Sequence, residues 1–183
     1  MAPSVSTTEF IVQQIFLQPD TAVFGLYDAA SAQNMPQILK GSRSEFICLY
    51  RGDLTPDMAE VAPYMVKLQK GALFNEWLVR QGWSRNWGLF VTTPESITLQ
   101  EVATHFRRFL LIRDPEGRRL YFRFYDPRVM RVYLPSCNPE ELKNIFGPVG
   151  HFFIEDEDPS ALLRMNRDGE GLHIQRLMLE TAN

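Results

Sequence analysis

Apolar residues along this chain fall into short runs separated by turn signals. Residues 22–27, AVFGLY, are bounded by Pro19-Asp20 and Asp28, the pattern of a strand buried on both faces. Residues 44–50, SEFICLY, and 61–68, VAPYMVKL, repeat it, and Pro63 restricts the latter to an edge or a strand start because proline cannot donate to a ladder. Residues 86–92, NWGLFVT, and 151–155, HFFIE, complete the strand set. Between these runs the apolar period changes to that of a helix. Residues 6–17 carry Ser6 and Glu9 at capping-box spacing, and Leu73, Phe74, Trp77 and Leu78 predict a helix ending near Gly82. Thr98 with Glu101 predicts a second capping box, ahead of a helix burying Leu99, Val102, Ala103 and Phe106. Asn138, Pro139 and Glu141 start a helix over residues 139–146 that stops at Gly147-Pro148. Residues 31–39 form a weakly patterned helix. Strands and helices interleaved by short connections predict an α/β fold, with α+β as the alternative: a mixed β-sheet flanked by helices.

The richest stretch is RRFLLIRDPEGRRLYFRFYDPRVMRVYLP, residues 107–135. Asp114-Pro115-Glu116-Gly117 fits a type I turn, so residues 109–112 and the run after Leu120 predict a hairpin. In the return strand Leu120, Phe122 and Phe124 alternate with Tyr121, Arg123 and Tyr125, so one face enters a core and the other carries a ring-guanidinium-ring stripe. Asp126 then caps a helix whose first residue is Pro127. Residues 162–165 and 172–179 flank a polar Gly-containing linker, which predicts a C-terminal hairpin or tail. The domain organisation that follows is a helical segment over 1–21, an α/β domain over 22–158 and an extension over 159–183.

Charge adds a local feature to this picture. The 183-residue chain has a net charge of only −3, which gives no global field for nucleic acid or an anionic membrane. Yet eight arginines fall between Arg107 and Arg131, while Glu155-Asp156-Glu157-Asp158 forms an acidic run expected to be solvated. The two cysteines, Cys48 and Cys137, belong to no CxxC pair, so no zinc site or disulfide framework is indicated. No Lys or Arg precedes Lys40 and no run is long enough to span a membrane, so the expected location is the cytoplasm.

No stretch assembles a catalytic centre. Cys48 alternates within an apolar strand and reads as a small hydrophobe, and His105 sits at a helix end where it complements the dipole. HExxH, EF-hand, GxxxxGK[ST] and GxGxxG spacings are all missing, so neither a metal nor a cofactor is expected. Arginine beside aromatic rings could stack single-stranded nucleic acid, but no diagnostic pattern accompanies it. The same residue types are enriched at protein interfaces.

Six motifs in order carry a family resemblance. They are Asp28-Ala29-Ala30 after an apolar strand, APYMV at 62–66, GWSRNWG at 82–88, HFRRF at 105–109, FYDPRV at 124–129 and LPSC at 134–137. With Phe146-Gly147-Pro148, this ordered set resembles domain-of-unknown-function family 4123 over residues 22–156. That family is similar to type VI secretion adaptors, or effector chaperones, which bind a toxic effector and help load it onto the VgrG spike before export. The resemblance implies a noncatalytic adaptor whose partners are a cognate effector and VgrG. Candidate partner-binding residues are Asp28, Arg85, Arg123, Tyr125, Asp126 and Arg128, with Trp83 and Trp87 as anchors. Charge reversal at Arg123 or Arg128 is expected to weaken the complex and leave the monomer folded. The competing readings are a small-ligand hydrolase using Asp28 or Asp126 as base, and a single-stranded nucleic-acid-binding domain.

Overall fold

The apolar runs at 22–27, 44–50, 61–68, 86–92 and 151–155 all contribute strands to a single sheet. The computed structural model describes residues 5–113, 116–169 and 171–179. Its strands are β1 (Thr21–Asp28), β2 (Phe46–Cys48), β3 (Pro63–Leu68), β4 (Gly88–Pro94), β5 (Leu111–Arg113), β6 (Arg119–Tyr121), β7 (His151–Glu155), β8 (Ala161–Asp168) and β9 (Gly171–Met178). Seven of them join in the order β2-β3-β1-β4-β7-β8-β9, while β5 and β6 pair apart from the sheet. All these pairings are antiparallel. The helices are α1 (Val5–Ile15), α2 (Met35–Gly41), α3 (Pro56–Ala59), α4 (Leu73–Gly82), α5 (Leu99–Arg107), α6 (Pro127–Ser136) and α7 (Pro139–Phe146).

The fold is α/β as the sequence predicted, with helices on both faces, but the expected mixed sheet is antiparallel in every described pairing. Phe24 and Leu26 of β1 point into a cluster with Val102 and Phe106 of α5, Met130 of α6 and Ile145 of α7. Val23 and Tyr27 point the other way, to Ile11 and Ile15 of α1, Leu39 of α2 and Leu78 of α4. Two-sided burial explains why β1 reads as an unbroken apolar run rather than an alternation. Pro63 opens β3, where its missing N–H costs nothing, and its carbonyl accepts from Leu49 N–H at 2.8 Å.

Most predicted caps are present. Thr98–Glu101 and Asn138–Glu141 form complete capping boxes, and the Asp126 side chain accepts from Arg128 N–H at the start of α6. Three expectations need correction. Helix α1 begins at Val5, so Ser6 lies inside its first turn rather than at the cap. Gly82 is the last residue of α4 and extended Trp83 takes the cap position. The return strand of the arginine hairpin ends at Tyr121, because Phe122, Phe124 and Tyr125 all turn inward and the expected alternation fails. The predicted turn at Asp114-Pro115 lies outside the described residues. The segment after Pro159 becomes the β8–β9 hairpin, with Leu162 fully buried.

His105 braces α5 against α7 rather than serving as a charged cap. Arg108 Nη2 donates to His105 Nδ1 at 2.9 Å, which leaves Nε2–H to donate to Ile145 O at 2.9 Å. Burial pushes the His105 pKa down, Arg108 adds to this and the Ile145 contact opposes it. The brace fits only because residue 147 has no side chain. Gly147 adopts φ +48°, and a methyl there would collide with the imidazole. Gly169 also has positive φ, but its Cβ position is open. Gly147→Ala is therefore expected to destabilise by about 2–4 kcal/mol, against about 1 kcal/mol for Gly169→Ala, as measured by chemical denaturation.

Candidate functional site

Where β1 ends and α6 begins, two buried carboxylates share an arginine. Asp28 is 1% exposed and Asp126 is 3% exposed. Asp28 Oδ1 accepts from Ala30 N–H at 3.1 Å and Oδ2 from Ser31 Oγ at 3.0 Å, an Asx-type turn that carries the chain out of the strand. The Arg123 guanidinium also donates to Asp28 Oδ2 and lies 3.5 Å from Asp126 Oδ2. Asp126 Oδ1 accepts from Arg128 N–H and Nε, both at 3.0 Å, and Oδ2 from Arg128 Nη2 at 2.8 Å. Two acids and two arginines form one neutral, hydrogen-bonded junction.

The electrostatics follow from those contacts. Burial pushes the Asp126 pKa up, but its hydrogen bonds from Arg128 and the charges of Arg128 and Arg123 outweigh this and hold it below the usual carboxylate value. Burial lowers the Arg123 pKa, and its bond to Asp28 with the two nearby acids reverses the effect. Burial raises the phenol of Tyr125, helped by Tyr50 and Asp28. All four oxygens of Asp28 and Asp126 are engaged, and a depressed Asp126 is a weak base at neutral pH.

The other sequence candidates take different positions. Trp83 and Trp87 lie inside the second core rather than on a surface, at 6% and 9% exposure. Trp83 Nε1 donates to Pro159 O at 2.8 Å, and Trp87 O accepts from Asp28 N–H at 2.8 Å, tying the tryptophan loop to the junction. Arg85 is exposed between them, flanked by Ser84 and Asn86 at φ +62° and +54°. Tyr125 is 4% exposed, so the junction keeps Arg123 and Arg128 as its accessible members.

Beside the junction lies a feature the sequence did not disclose. Leu49 and Leu110 floor an open cleft of ≈ 460 Å³ between the segment leading to α3 and the β5–β6 hairpin. Met58 and Leu54 form one wall, Leu111 and Tyr121 the other, and Arg51 and Arg108 lie along it. Leu111 is 49% exposed, Tyr121 68% and Met58 47%, so the apolar walls face solvent. Tyr50 joins cleft to junction: its ring lies 6.1 Å from Tyr121 and its phenol interacts with that of Tyr125. Residues 109–112 form an apolar run within the predicted hairpin, and the only local sign of exposure was the arginines at 113, 118 and 119.

The acidic run also departs from expectation at its first member. Glu155 is 7% exposed, and its Oε1 accepts from Ser84 N–H at 2.7 Å, which anchors the tryptophan loop. Burial raises its pKa from 4.5 to about 7, against the opposing pull of Ser84 N–H and Arg131. As the end of a central strand, it inherits burial from its neighbours Phe153 and Ile154.

A family model described as Domain of unknown function (DUF4123) matches residues 23–144, more than half of the chain. No curated protein and no solved structure matches it. Among the described residues no helix is long and apolar enough to cross a membrane, and no group of three or more His, Cys, Asp or Glu is placed to hold a metal ion.

Two stability measurements test this site. Removing Arg123 leaves Asp28 without its charged partner, so Arg123→Ala is expected to cost about 3 kcal/mol in denaturant unfolding. Arg123→Glu, which adds a third carboxylate, is expected to cost more, so charge reversal here alters the fold as well as any interface. Glu155 has a folded pKa above its ordinary value, so the native state binds more protons and stability falls as pH rises from 4.5 to about 7. Glu155→Gln keeps an acceptor for Ser84 and is expected to raise stability by roughly 1–3 kcal/mol at pH 8, with the gain gone at pH 4.5.

Proposed function

The chain belongs to the DUF4123 family, and on that premise we propose that it is a noncatalytic type VI secretion adaptor that holds a toxic effector and delivers it to the VgrG spike. The observation that carries this reading is the open cleft between Met58 and Tyr121. Its lining of leucine, tyrosine, methionine and arginine suits an effector segment that combines apolar side chains with acidic ones. Aromatic and arginine side chains on a rigid support are the usual anchors of such contacts. Support here is rigid because the base of the hairpin is buried. Phe122 packs on Tyr133 at 4.6 Å, and Phe124 stacks on Phe106 at 5.1 Å.

The hydrolase reading draws no support from the carboxylates it relied on, since Asp28 and Asp126 are spent on Arg123 and Arg128. Stacking of nucleic acid on an arginine-aromatic strand face loses its platform, because Tyr125 is buried and β6 stops at Tyr121. Neither arginine 107 nor its neighbour is a loose charge: Arg107 bonds Cys48 O and Leu49 O, and Arg108 bonds His105.

Tagged protein purified from its native bacterial cytoplasm is expected to bring down a VgrG protein or a toxin, identified by mass spectrometry. Tyr121→Asp and Leu111→Asp, both on exposed positions of the hairpin, are expected to lower the affinity for that effector at least about tenfold, or about 1.4 kcal/mol, with thermal unfolding unchanged. Full effector binding by both variants would remove the cleft from the interface. Recovery of neither partner from cells expressing the secretion machinery would overturn the adaptor reading.

A further inference from the structure

The two edges of the sheet are finished in different ways. At one edge β2 is three residues long, and Arg107 covers its outward carbonyl by donating from Nη2 to Cys48 O at 2.7 Å and from Nε to Leu49 O at 3.1 Å. At the other edge β9 runs for eight residues without proline. Leu179 N–H donates to Ser160 O at 2.8 Å, and the β8–β9 register continues unbroken from Ala161↔Met178 to Asp168↔Gly171. Odd-numbered residues of β9 therefore bond inward to β8. Leu172, Ile174, Arg176 and Met178 direct their N–H and C=O groups away from the sheet.

An edge strand of this length is ordinarily blunted, because its free backbone groups template a further strand. Among the described residues the side chains do not blunt it. Arg176 is turned aside onto Asp156 Oδ2, at 2.6 Å, and Asp158 Oδ2, at 3.5 Å. Ile174 and Met178 are 43% and 57% exposed on the face shared with α6, whose Val132 is 72% exposed. Ile174 also shares an open groove of ≈ 550 Å³ with Val132, Pro135, Leu163 and Met165.

We propose that β9 pairs with β9 of a second copy of this chain, antiparallel and about a two-fold axis at Gln175. The strand is complementary to itself in that register. Leu172 opposes Met178 of the second copy, Ile174 opposes Arg176, and Gln175 opposes its own equivalent, so residues 172–178 are all paired. Arg176 never meets Arg176, as it would if the register moved by one step toward the C-terminus, where like charges oppose and destabilise. The outward groups meet outward groups, and Leu172, Ile174 and Met178 of both strands lie on the α6 face, with Leu177 on the other. A closed two-fold contact uses the one edge completely and leaves none to propagate. The surface is remote in strand order from the cleft, so this inference stands independently of the adaptor reading.

Sedimentation velocity and light scattering on the full chain are expected to show a dimer at about 100 µM, where a micromolar association is well populated. Gln175→Cys is the test of register. It falls at a non-hydrogen-bonded pair with Cα atoms about 4.5 Å apart, within disulfide range, so mild oxidation is expected to cross-link it. Ile174→Cys, opposite Arg176, and the unmodified chain with Cys48 and Cys137 are expected to remain uncross-linked. Ile174→Pro removes only an outward N–H and is expected to yield a monomer with its circular dichroism preserved. A monomeric chain at about 100 µM overturns the proposal. So does a dimer that survives Ile174→Pro, or one in which Gln175→Cys fails to cross-link.

Discussion

Arg123 holds together two parts of the chain that share nothing else in sequence. Its guanidinium sits between Asp28, at the end of β1, and Asp126, at the start of α6. Neither carboxylate could be buried unpaired, since an isolated charge in a core costs several kcal/mol. Each also shapes the backbone beside it: Asp28 turns the chain after β1, and Asp126 caps α6. The junction thus couples the central strand to the helix that covers one face of the sheet. Arg123 also lies two residues beyond the last paired residue of the hairpin, so hairpin, sheet and helix meet at one side chain.

That arrangement explains how an apolar hairpin can stand outside the sheet without collapsing onto it. Phe122, Phe124 and Tyr125 follow β6 directly and are all buried. They fasten the hairpin by its base, and Leu111, Ile112, Leu120 and Tyr121 remain in solvent because the core is already filled beneath them. Arg107, the last residue of α5, also contributes. By bonding to the carbonyls of Cys48 and Leu49, it seals the β2 edge and fixes the floor of the cleft in one contact.

Local chemistry was legible in the sequence; sidedness was not. Thr98, Asp126 and Asn138 each combine a capping side chain with a suitable N1 or N3 residue, and such signals operate over four residues regardless of tertiary context. Strands β1, β3, β4 and β7 were legible because two-sided burial leaves runs that no turn would contain, and the half-buried edge strand β2 was legible from its short apolar run. The stripe on Arg123 and Tyr125 failed because alternation predicts sides only while the strand continues, and the chain leaves extended pairing at Tyr121. Asp28, Arg123 and Asp126 were each named from the sequence, but Asp28 lies 95 positions from Arg123, and no local pattern encodes their contact. Trp83 and Trp87 look the same in sequence whether they anchor a partner or a loop. Glu155 read as the start of a solvated acidic run, although the strand residues before it were the better guide to its burial.

The family assignment spans residues 23–144, which include the junction, the cleft and the hairpin but not β8 or β9. This division has a physical counterpart in how each end of the sheet can recognise another molecule. The cleft offers side chains of particular shape and charge, with its backbone already satisfied at Leu49 and Cys48. It can discriminate between segments that differ by a few residues. The β9 edge offers mainly N–H and C=O groups, which are common to every extended chain, and only the alternation of Leu172, Ile174 and Met178 restricts what fits. A surface of the second kind is safe only if a defined occupant closes it, and a strand that satisfies its own requirements is the occupant always present at the same concentration. Under the adaptor proposal selective recognition falls to the side-chain cleft within the family region, and under the dimer proposal generic strand pairing falls to the edge beyond it.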